Sequence, residues 1–193
     1  NDCDTIRAIA ETLKKYQESF QYLIIDPVMV STSGCRLMQE DALDVFITEL
    51  LPLATLLTPN IPEAEILAGM KIENAEDIKA AATAICKLGC RYVLIKGGHF
   101  DGAEKVDYLF EDGKQKTSYR GISVNTRNTH GTGCTLSSAI TSYLAREMDM
   151  NTAIAMAKTY LSGAILAGKD IKIGEGHGPV NHFYEPKSLF TKS

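Results

Sequence analysis

Three short, mostly apolar runs constrain the fold of this chain more than any other feature, because each follows a segment with apolar residues at helical spacing. Such runs are typical of strands that are buried on both faces of a parallel sheet. The predicted strands span 22–25, 54–57 and 91–95, and the predicted helices span 5–20, 40–51 and 75–88. The alternation indicates an α/β fold, a mainly parallel central sheet with helices on both faces and right-handed crossovers.

Two further patterns complete the predicted architecture. Residues 106–110 and 115–119 alternate around Asp112-Gly113, a pair typical of a two-residue turn between antiparallel strands. Residues 131–146 and 151–167 are predicted to form two long helices, and a loop rich in glycine and proline follows them. Gly89 directly follows the segment 75–88, which predicts that it ends that helix.

Composition limits the classes of function that fit the chain. Its 193 residues are 45% hydrophobic and 23% charged with a net charge of −4, which predicts one domain over 1–193. A negative net charge without a block of lysine or arginine disfavours nucleic acid and membrane surfaces as partners. Five cysteines without a CxxC pair, and no secretory or membrane-spanning pattern, favour a cytoplasmic location.

Polar side chains follow the predicted strands at the points where ligands bind to open α/β sheets. Asp26 follows the first strand, Thr58 and Asn60 follow the second with Glu63 in the next helix, and Lys96 follows the third. Together they suit a metal-bound phosphate, with Glu63 as the preferred Mg²⁺ ligand. Taken singly, each also fits turn or cap chemistry, and Glu63 could simply stabilise a helix N-terminus by about 0.3–1 kcal/mol.

The segment 128–139 is rich in small residues and glycine and opens directly into a predicted helix. Such a turn places unpaired backbone amides at the positive end of a helix dipole, where they would stabilise the negative charge of a phosphoryl group during its transfer. Cys134 lies at the same helix start, which favours its thiolate and predicts a reactive thiol. A small buried cysteine is the alternative.

Other ligand signatures are absent from the sequence. There is no GxxxxGK[ST] motif, and Gly131-Thr132-Gly133 does not continue as GxGxxG, so neither a P-loop nor a dinucleotide fold is expected. His177 and His182 are five residues apart without acidic or thiol partners, which disfavours a zinc site.

The motifs in combination resemble those of the hydroxymethylpyrimidine/phosphomethylpyrimidine kinases of thiamine biosynthesis, in the ribokinase superfamily. The family transfers the γ-phosphate of ATP to 4-amino-5-hydroxymethyl-2-methylpyrimidine and then phosphorylates the monophosphate to the diphosphate. The resemblance runs in order from about residue 4 to residue 182. It rests on Asp26-Pro27-Val28-Met29-Val30, Thr58-Pro59-Asn60-Ile61-Pro62-Glu63, Lys96-Gly97-Gly98-His99, His130-Gly131-Thr132-Gly133-Cys134 and the closing segment 176–182.

The resemblance implies roles for the residues that match the nucleotide site of the family. Asn60 and Glu63 match the residues that organise Mg²⁺ and the phosphates, and Lys96 matches the lysine that contacts the nucleotide phosphates. Gly131, Thr132, Gly133 and Cys134 match the anion hole, with Thr129 beside it on the nucleotide. Most sugar kinases of the superfamily carry an aspartate as general base at the place that Cys134 occupies here.

The segment 26–36 matches a flap that covers the acceptor and excludes water in the family. This implies that Asp26, Val28 and Met29 bind the substrate, with ordinary packing as the alternative for Val28 and Met29. Ser31 stands where related pyridoxal kinases often carry a cysteine, which favours a pyrimidine over pyridoxal.

The resemblance also implies a homodimer and a further N-terminal portion upstream of Asn1, so the N-terminal part of the fold is expected to be missing from this chain. Three other functions stay open. The chain could be a pyridoxal kinase of the same fold or a nucleotide-binding module without catalysis, or its strand-end polar groups could serve only as caps and turns.

Overall fold

The chain divides into two units, Asn1–Gly121 and Ile122–Ser193. A computed structural model describes residues 2–29, 37–98, 105–121 and 123–188. The first unit carries the sheet, and the second carries two long helices. The prediction of one domain over 1–193 stays a prediction.

The sheet of the first unit has the strand order β1-β2-β3-β4-β5. Its strands are β1 (Ile24–Ile25), β2 (Leu56–Leu57), β3 (Tyr92–Gly98), β4 (Lys105–Glu111) and β5 (Lys114–Gly121). β1, β2 and β3 pair in parallel, whereas β4 pairs antiparallel with both β3 and β5. The three predicted core strands and the predicted hairpin are confirmed, although β1 and β2 are only two residues long.

β3 lies at the centre of the sheet, and its burial explains the apolar run in the sequence. Val93, Leu94 and Ile95 are each 0% exposed. Because successive side chains of a strand point to opposite faces, three buried neighbours mean that both faces of β3 are covered. The parallel partners β1 and β2 end on the same side as β3, so the residues that follow them meet at one edge of the sheet.

The helices of the first unit are α1 (Cys3–Lys15), α2 (Glu40–Val45), α3 (Ile61–Ala68) and α4 (Ala75–Lys87). α1 is shorter than its apolar pattern predicted, since a 3₁₀ turn at Gln17–Ser19 replaces its last turn. The predicted helix over 40–51 is α-helical only to Val45 and continues as a π-helical turn, Phe46–Leu50, and a 3₁₀ turn, Leu51–Leu53. Pro52 has no amide hydrogen to donate, so a regular α-helix cannot continue through it.

Two predicted turn positions are confirmed by their backbone angles. Gly89 follows α4 with φ +115°, a conformation that favours glycine, and a Cβ atom there would also make a tight contact of 3.0 Å with the Cβ of Pro52. Asp112 and Gly113 join β4 to β5 with φ +49° and +76°. Positive φ at both central residues is the geometry of a type I′ turn, whose twist matches that of the strands.

A carboxylate on the hairpin gathers three donors on the surface of the sheet. Glu111 Oε1 accepts hydrogen bonds from Tyr92 Oη at 2.6 Å and Arg91 Nη2 at 2.7 Å, and Lys116 Nζ lies 2.9 Å from Glu111 Oε2. The hydrogen bond from Tyr92, followed by those from Lys116 and Arg91, lowers the pKa of Glu111 to about 2. The cluster ties β3, β4 and β5 together across the sheet.

The second unit is built on α5 (Thr132–Ala145) and α6 (Met150–Gly168), which pack against each other and confirm the two predicted long helices. Asn128 joins the segment before α5 to the end of α6, because its Nδ2 donates to Gly168 O at 2.7 Å and to Ile171 O at 2.6 Å. No helix among the described residues combines the length and the apolar character that crossing a membrane requires.

Candidate active site

The side chains that follow β1 and β2 meet Lys96 at the edge of the sheet, as the sequence predicted. Lys96 Nζ lies 2.8 Å from Asp26 Oδ1, and Thr58 Oγ1 donates to the same oxygen at 3.0 Å. The side chains of Lys96 and Asp26 are only 17% and 12% exposed. This ion pair is therefore largely shielded from water, where its attraction is stronger than at an open surface.

The position of Lys96 differs from the prediction that it follows the end of its strand. β3 continues through Lys96 to Gly98, and Lys96 N donates to Pro59 O at 2.8 Å in a parallel bridge with Asn60. The strand is longer because β4 pairs with it as far as Gly98, opposite Val106, while the backbone after β2 supplies a further partner at Lys96. Lys96 is thus fixed by its backbone as well as by Asp26, and its ammonium keeps further donors for a ligand.

Asn60 and Glu63 form a capping box at the start of α3. Glu63 N donates to Asn60 Oδ1, and Asn60 N donates to Glu63 Oε2, both at 2.9 Å. Glu63 is 3% exposed, and its other oxygen, Oε1, accepts a hydrogen bond from Met29 N at 3.1 Å. The simpler interpretation of these two residues as helix caps is confirmed, and each carboxylate oxygen of Glu63 already has a backbone partner.

The predicted acceptor contacts after β1 differ in exposure. Val28 is 39% exposed and has φ +41°, whereas Met29 is 2% exposed and its side chain belongs to the hydrophobic core. Of the two, Val28 therefore offers a surface to a small molecule. The rest of the predicted flap, 30–36, and His99 lie outside the described residues.

In the second unit, the glycine turn at the start of α5 has the features of an anion site. Gly131 adopts φ +84° as the N-cap residue, so α5 begins at Thr132, one residue later than predicted. In the part of the chain that the structure describes, the backbone amides of Gly133 and Cys134 make no hydrogen bond. Cys134 is exposed, which contradicts the alternative of a buried cysteine.

The turn is held by the closing glycine-rich segment of the chain. His130 N donates to Gly178 O at 3.1 Å within a parallel bridge between His130 and Pro179. A Cβ atom at Gly178 would collide with the Asn128 side chain, so the close approach needs glycine. Sequence reasoning noted this segment only as typical of the family, and its structural purpose is to fix the backbone at the anion turn.

The two histidines of the closing segment also bind protein groups. His177 Nδ1 lies 3.1 Å from Arg127 O, and His182 Nε2 lies 2.9 Å from Thr135 Oγ1. Among the described residues, no group of three or more histidine, cysteine, aspartate or glutamate side chains could hold a metal ion by itself.

A cavity of about 900 Å³ is lined by residues of the anion turn, of α5 and α6, and of the segment after α6. Cys134 and His130 lie at the end near the turn, and the aromatic rings of Tyr143, Tyr160 and Phe183 line it further along. Sequence reasoning missed this cavity. The available signal was the row of small residues on α5 at helical spacing, which leaves room beside the helix.

A family model described as phosphomethylpyrimidine kinase matches residues 1–181. The hydroxymethylpyrimidine/phosphomethylpyrimidine kinase of Rhizobium meliloti is 44% identical over 182 residues, which are 94% of this chain and 67% of the relative.

Two solved structures show the same fold. A phosphomethylpyrimidine kinase from Clostridium difficile is 43% identical with a TM-score of 0.71, covering 86% of this chain and 65% of that chain. A pyridoxal kinase from Bacillus subtilis, in complex with ADP, is 33% identical with a TM-score of 0.80, covering 94% and 66%. The chain thus spans about two thirds of the length of these relatives. The predicted ribokinase-like α/β class is confirmed.

Proposed function

This chain belongs to the phosphomethylpyrimidine kinase family, and from that premise we propose that it serves ATP-dependent phosphorylation of hydroxymethylpyrimidine. In this proposal the monophosphate is a second acceptor at the same site, and the product of both steps is the diphosphate used in thiamine biosynthesis. The observation that carries the proposal is the turn at Gly131, where a helix begins with two backbone amides that have no partner within the described ranges.

The amides of Gly133 and Cys134 suit the charge that develops during phosphoryl transfer. In a loose, metaphosphate-like transition state the negative charge is spread over the transferred oxygens, so fixed N–H donors supply most of the stabilisation. Gly131 makes the turn possible because its positive φ costs little without a Cβ atom. Thr132 begins the helix whose dipole adds to the effect, and Thr129 is assigned to the nucleotide.

We expect Lys96 and Cys134 to contribute unequally to the rate of phosphoryl transfer. Lys96 contributes a positive charge that a nucleotide phosphate can share with Asp26. Cys134 stands at the position of a general base, and its exposed thiol could accept the proton of the acceptor hydroxyl. Since little bond formation to the acceptor is needed in a loose transition state, we expect the proton acceptor to matter less than Lys96.

Magnesium fits this edge of the sheet only together with the phosphates of a nucleotide. Mg²⁺ commonly binds one or two protein carboxylates, water and substrate phosphates rather than a complete protein cage. Asn60 and Glu63 are the residues that the sequence assigned to it, and their oxygens already cap α3. Asp26 Oδ2, by contrast, makes no hydrogen bond among the described residues. Asp26 is therefore the carboxylate best placed to share a bound Mg²⁺, which would neutralise phosphate charge.

Pyridoxal is the second candidate acceptor, because the Bacillus subtilis pyridoxal kinase has a TM-score of 0.80 against 0.71 for the Clostridium difficile phosphomethylpyrimidine kinase. Sequence identity points the other way, at 33% against 43%. We take the pyrimidine as the acceptor because sequence identity compares side chains, which decide ligand preference, whereas the TM-score compares only the backbone.

The test is ADP release in the presence of Mg²⁺ and ATP, with hydroxymethylpyrimidine, its monophosphate and pyridoxal offered separately. Turnover of both pyrimidines is expected, and ³¹P NMR would identify the diphosphate. Turnover of pyridoxal alone would move the assignment to vitamin B6, and ATP binding without turnover of any acceptor would favour a nucleotide-binding module.

A pair of lysine variants controls this assay. Lys96→Met is expected to lower kcat by roughly 10²–10³-fold, the loss typical of one electrostatic donor. Lys71→Met is the matched control, since Lys71 also pairs with a carboxylate, that of Glu65, but its side chain is 81% exposed on the surface. Equal activity of the two variants would contradict the role given to Lys96.

Location and assembly complete the proposal. We propose a cytoplasmic enzyme that acts as a homodimer on small-molecule substrates, without nucleic acid or membrane partners. Light scattering after size-exclusion chromatography measures the assembly directly, and a monomer that turns over both pyrimidines would refute the dimer alone.

A further inference from the structure

The backbone directly after β1 is strained at Val28. Its φ of +41° lies in the left-handed region, which Val avoids because its branched Cβ crowds the backbone there. Such a conformation persists only where the surrounding structure fixes it, and residues of this kind cluster at functional sites. Val28 is also 39% exposed, so the strained residue presents an apolar side chain to the solvent.

The residues on both sides of Val28 are held in place. Asp26 is fixed by Lys96 and Thr58 through the hydrogen bonds at its Oδ1. Met29 is fixed by the burial of its side chain and by its backbone, since its carbonyl accepts from Leu37 N at 2.8 Å. The backbone is therefore held at Asp26 and at Met29, and the unusual φ angle between these two residues falls at Val28.

The amide of Met29 is held by a carboxylate from another part of the chain. Met29 N donates to Glu63 Oε1 at 3.1 Å, across 34 residues of sequence. The other oxygen of Glu63 accepts from Asn60 N at 2.9 Å. One buried carboxylate therefore joins the start of α3 to the residue that follows Val28.

We propose that Glu63 is a positioning residue, which holds Val28 in its left-handed conformation and so presents the Val28 side chain to the acceptor. This inference rests on the proposed function for the identity of the acceptor. Glu63 acts here through the backbone of Met29 and does not touch the acceptor itself. This positioning role differs from direct binding of Mg²⁺ or the phosphates by Glu63.

Kinetics of Glu63→Gln distinguish the two roles. A glutamine keeps the size of the side chain but offers only one acceptor oxygen, so one of the two backbone bonds is lost. If Glu63 positions Val28, KM for hydroxymethylpyrimidine is expected to rise about tenfold while KM for ATP and the Mg²⁺ dependence change less than about twofold, tenfold being the equivalent of 1.4 kcal/mol. A rise in KM for ATP with unchanged KM for the pyrimidine would overturn the proposal.

A second variant tests the conformation without depending on turnover. Val28→Gly removes the steric cost of a positive φ, so it is expected to stabilise a chain that holds this conformation. In the Glu63→Ala background the backbone is released, and Val28→Gly is expected to be neutral or destabilising there. Additive shifts in the urea midpoint across this double-mutant cycle would mean that Glu63 serves only as a helix cap, which would overturn the proposal.

NMR provides the direct structural readout. The three-bond coupling between the amide proton and Hα of Val28 reports φ, and it is expected to change in Glu63→Gln but not in Glu65→Gln. Glu65 lies on the same helix and accepts from Ile72 N and Lys71 Nζ, so its variant is a matched control. A chain that turns over no acceptor would refute the proposed function, whereas an unchanged Val28 coupling in Glu63→Gln would refute this inference by itself.

Discussion

The ion pair between Lys96 and Asp26 makes a quantitative prediction about stability. At 2.8 Å the attraction between unit charges is about 6 kcal/mol with an effective dielectric constant of about 20. The desolvation of both groups offsets much of this attraction, so the net contribution of the intact pair is small. Removing only one partner is different, because the other charge stays shielded from water without its counter-ion.

Lys96→Met is such a change. Breaking a buried pair costs about 3–5 kcal/mol, and exposures of 17% and 12% place this one near the lower end, at about 3 kcal/mol. The Thr58 hydroxyl still donates to Asp26, but a hydroxyl cannot replace a positive charge. Adding Asp26→Asn removes the stranded charge, so the double variant is expected to recover about 2 kcal/mol relative to Lys96→Met.

Urea unfolding at pH 7, followed by circular dichroism, measures all four proteins of this cycle. Lys71→Met is the control, since an exposed pair contributes at most about 1 kcal/mol. The reasoning would be refuted by a Lys96→Met variant that loses no more stability than Lys71→Met. It would equally be refuted by purely additive losses in the double variant.

Three further predictions concern other parts of the chain. Glu111→Gln is expected to lower the unfolding midpoint at pH 7. Because folding lowers the pKa of Glu111 from 4.5 to about 2, the difference between the two proteins should shrink as the pH falls below 4.5 and be lost as the pH falls through the folded-state value. Gly178→Ala should cost about 1–3 kcal/mol of stability through its collision with Asn128, whereas Gly176→Ala, with open space around it, should be nearly neutral in the same thermal melt. Cys134→Ser should lower kcat by less than about 100-fold, and a larger loss in steady-state assays would show that proton removal limits the reaction.

The general architecture could be predicted from the sequence because buried elements show as apolar runs or as apolar residues at regular spacing. The apolar run at 91–95 predicted β3, and Asp112-Gly113 predicted the hairpin turn. Element ends were less predictable. Lys96 lies inside β3 because the strand pairs with β4 as far as Gly98 and the amide of Lys96 donates to Pro59, and no local pattern in the sequence reports pairing with a distant segment.

The candidate site was predictable as a set of residues but not as a set of bonds. The rule that parallel strands end at one edge brought Asp26 and Lys96 together, although they are 70 residues apart. The rule does not say which groups pair with each other. The bond between Glu63 and Met29 N could not be predicted, and neither could the positive φ of Val28, since valine is among the residues least expected in that conformation.

These bonds change the expected energetics of ligand binding at the edge of the sheet. Both oxygens of Glu63 already accept backbone hydrogen bonds, and Lys96 is already paired with Asp26, so under the proposed function a nucleotide phosphate competes with Asp26 for the charge of Lys96 rather than filling an empty charged site. A phosphate that attracts Lys96 weakens its pairing with Asp26, and the released carboxylate then favours a cation at the same place. Phosphate and Mg²⁺ should therefore bind cooperatively, since each relieves the charge that the other leaves unpaired. Because this expected cooperativity depends on the 2.8 Å ion pair, we predict that Asp26→Asn removes it, which titration of nucleotide binding with and without Mg²⁺ measures.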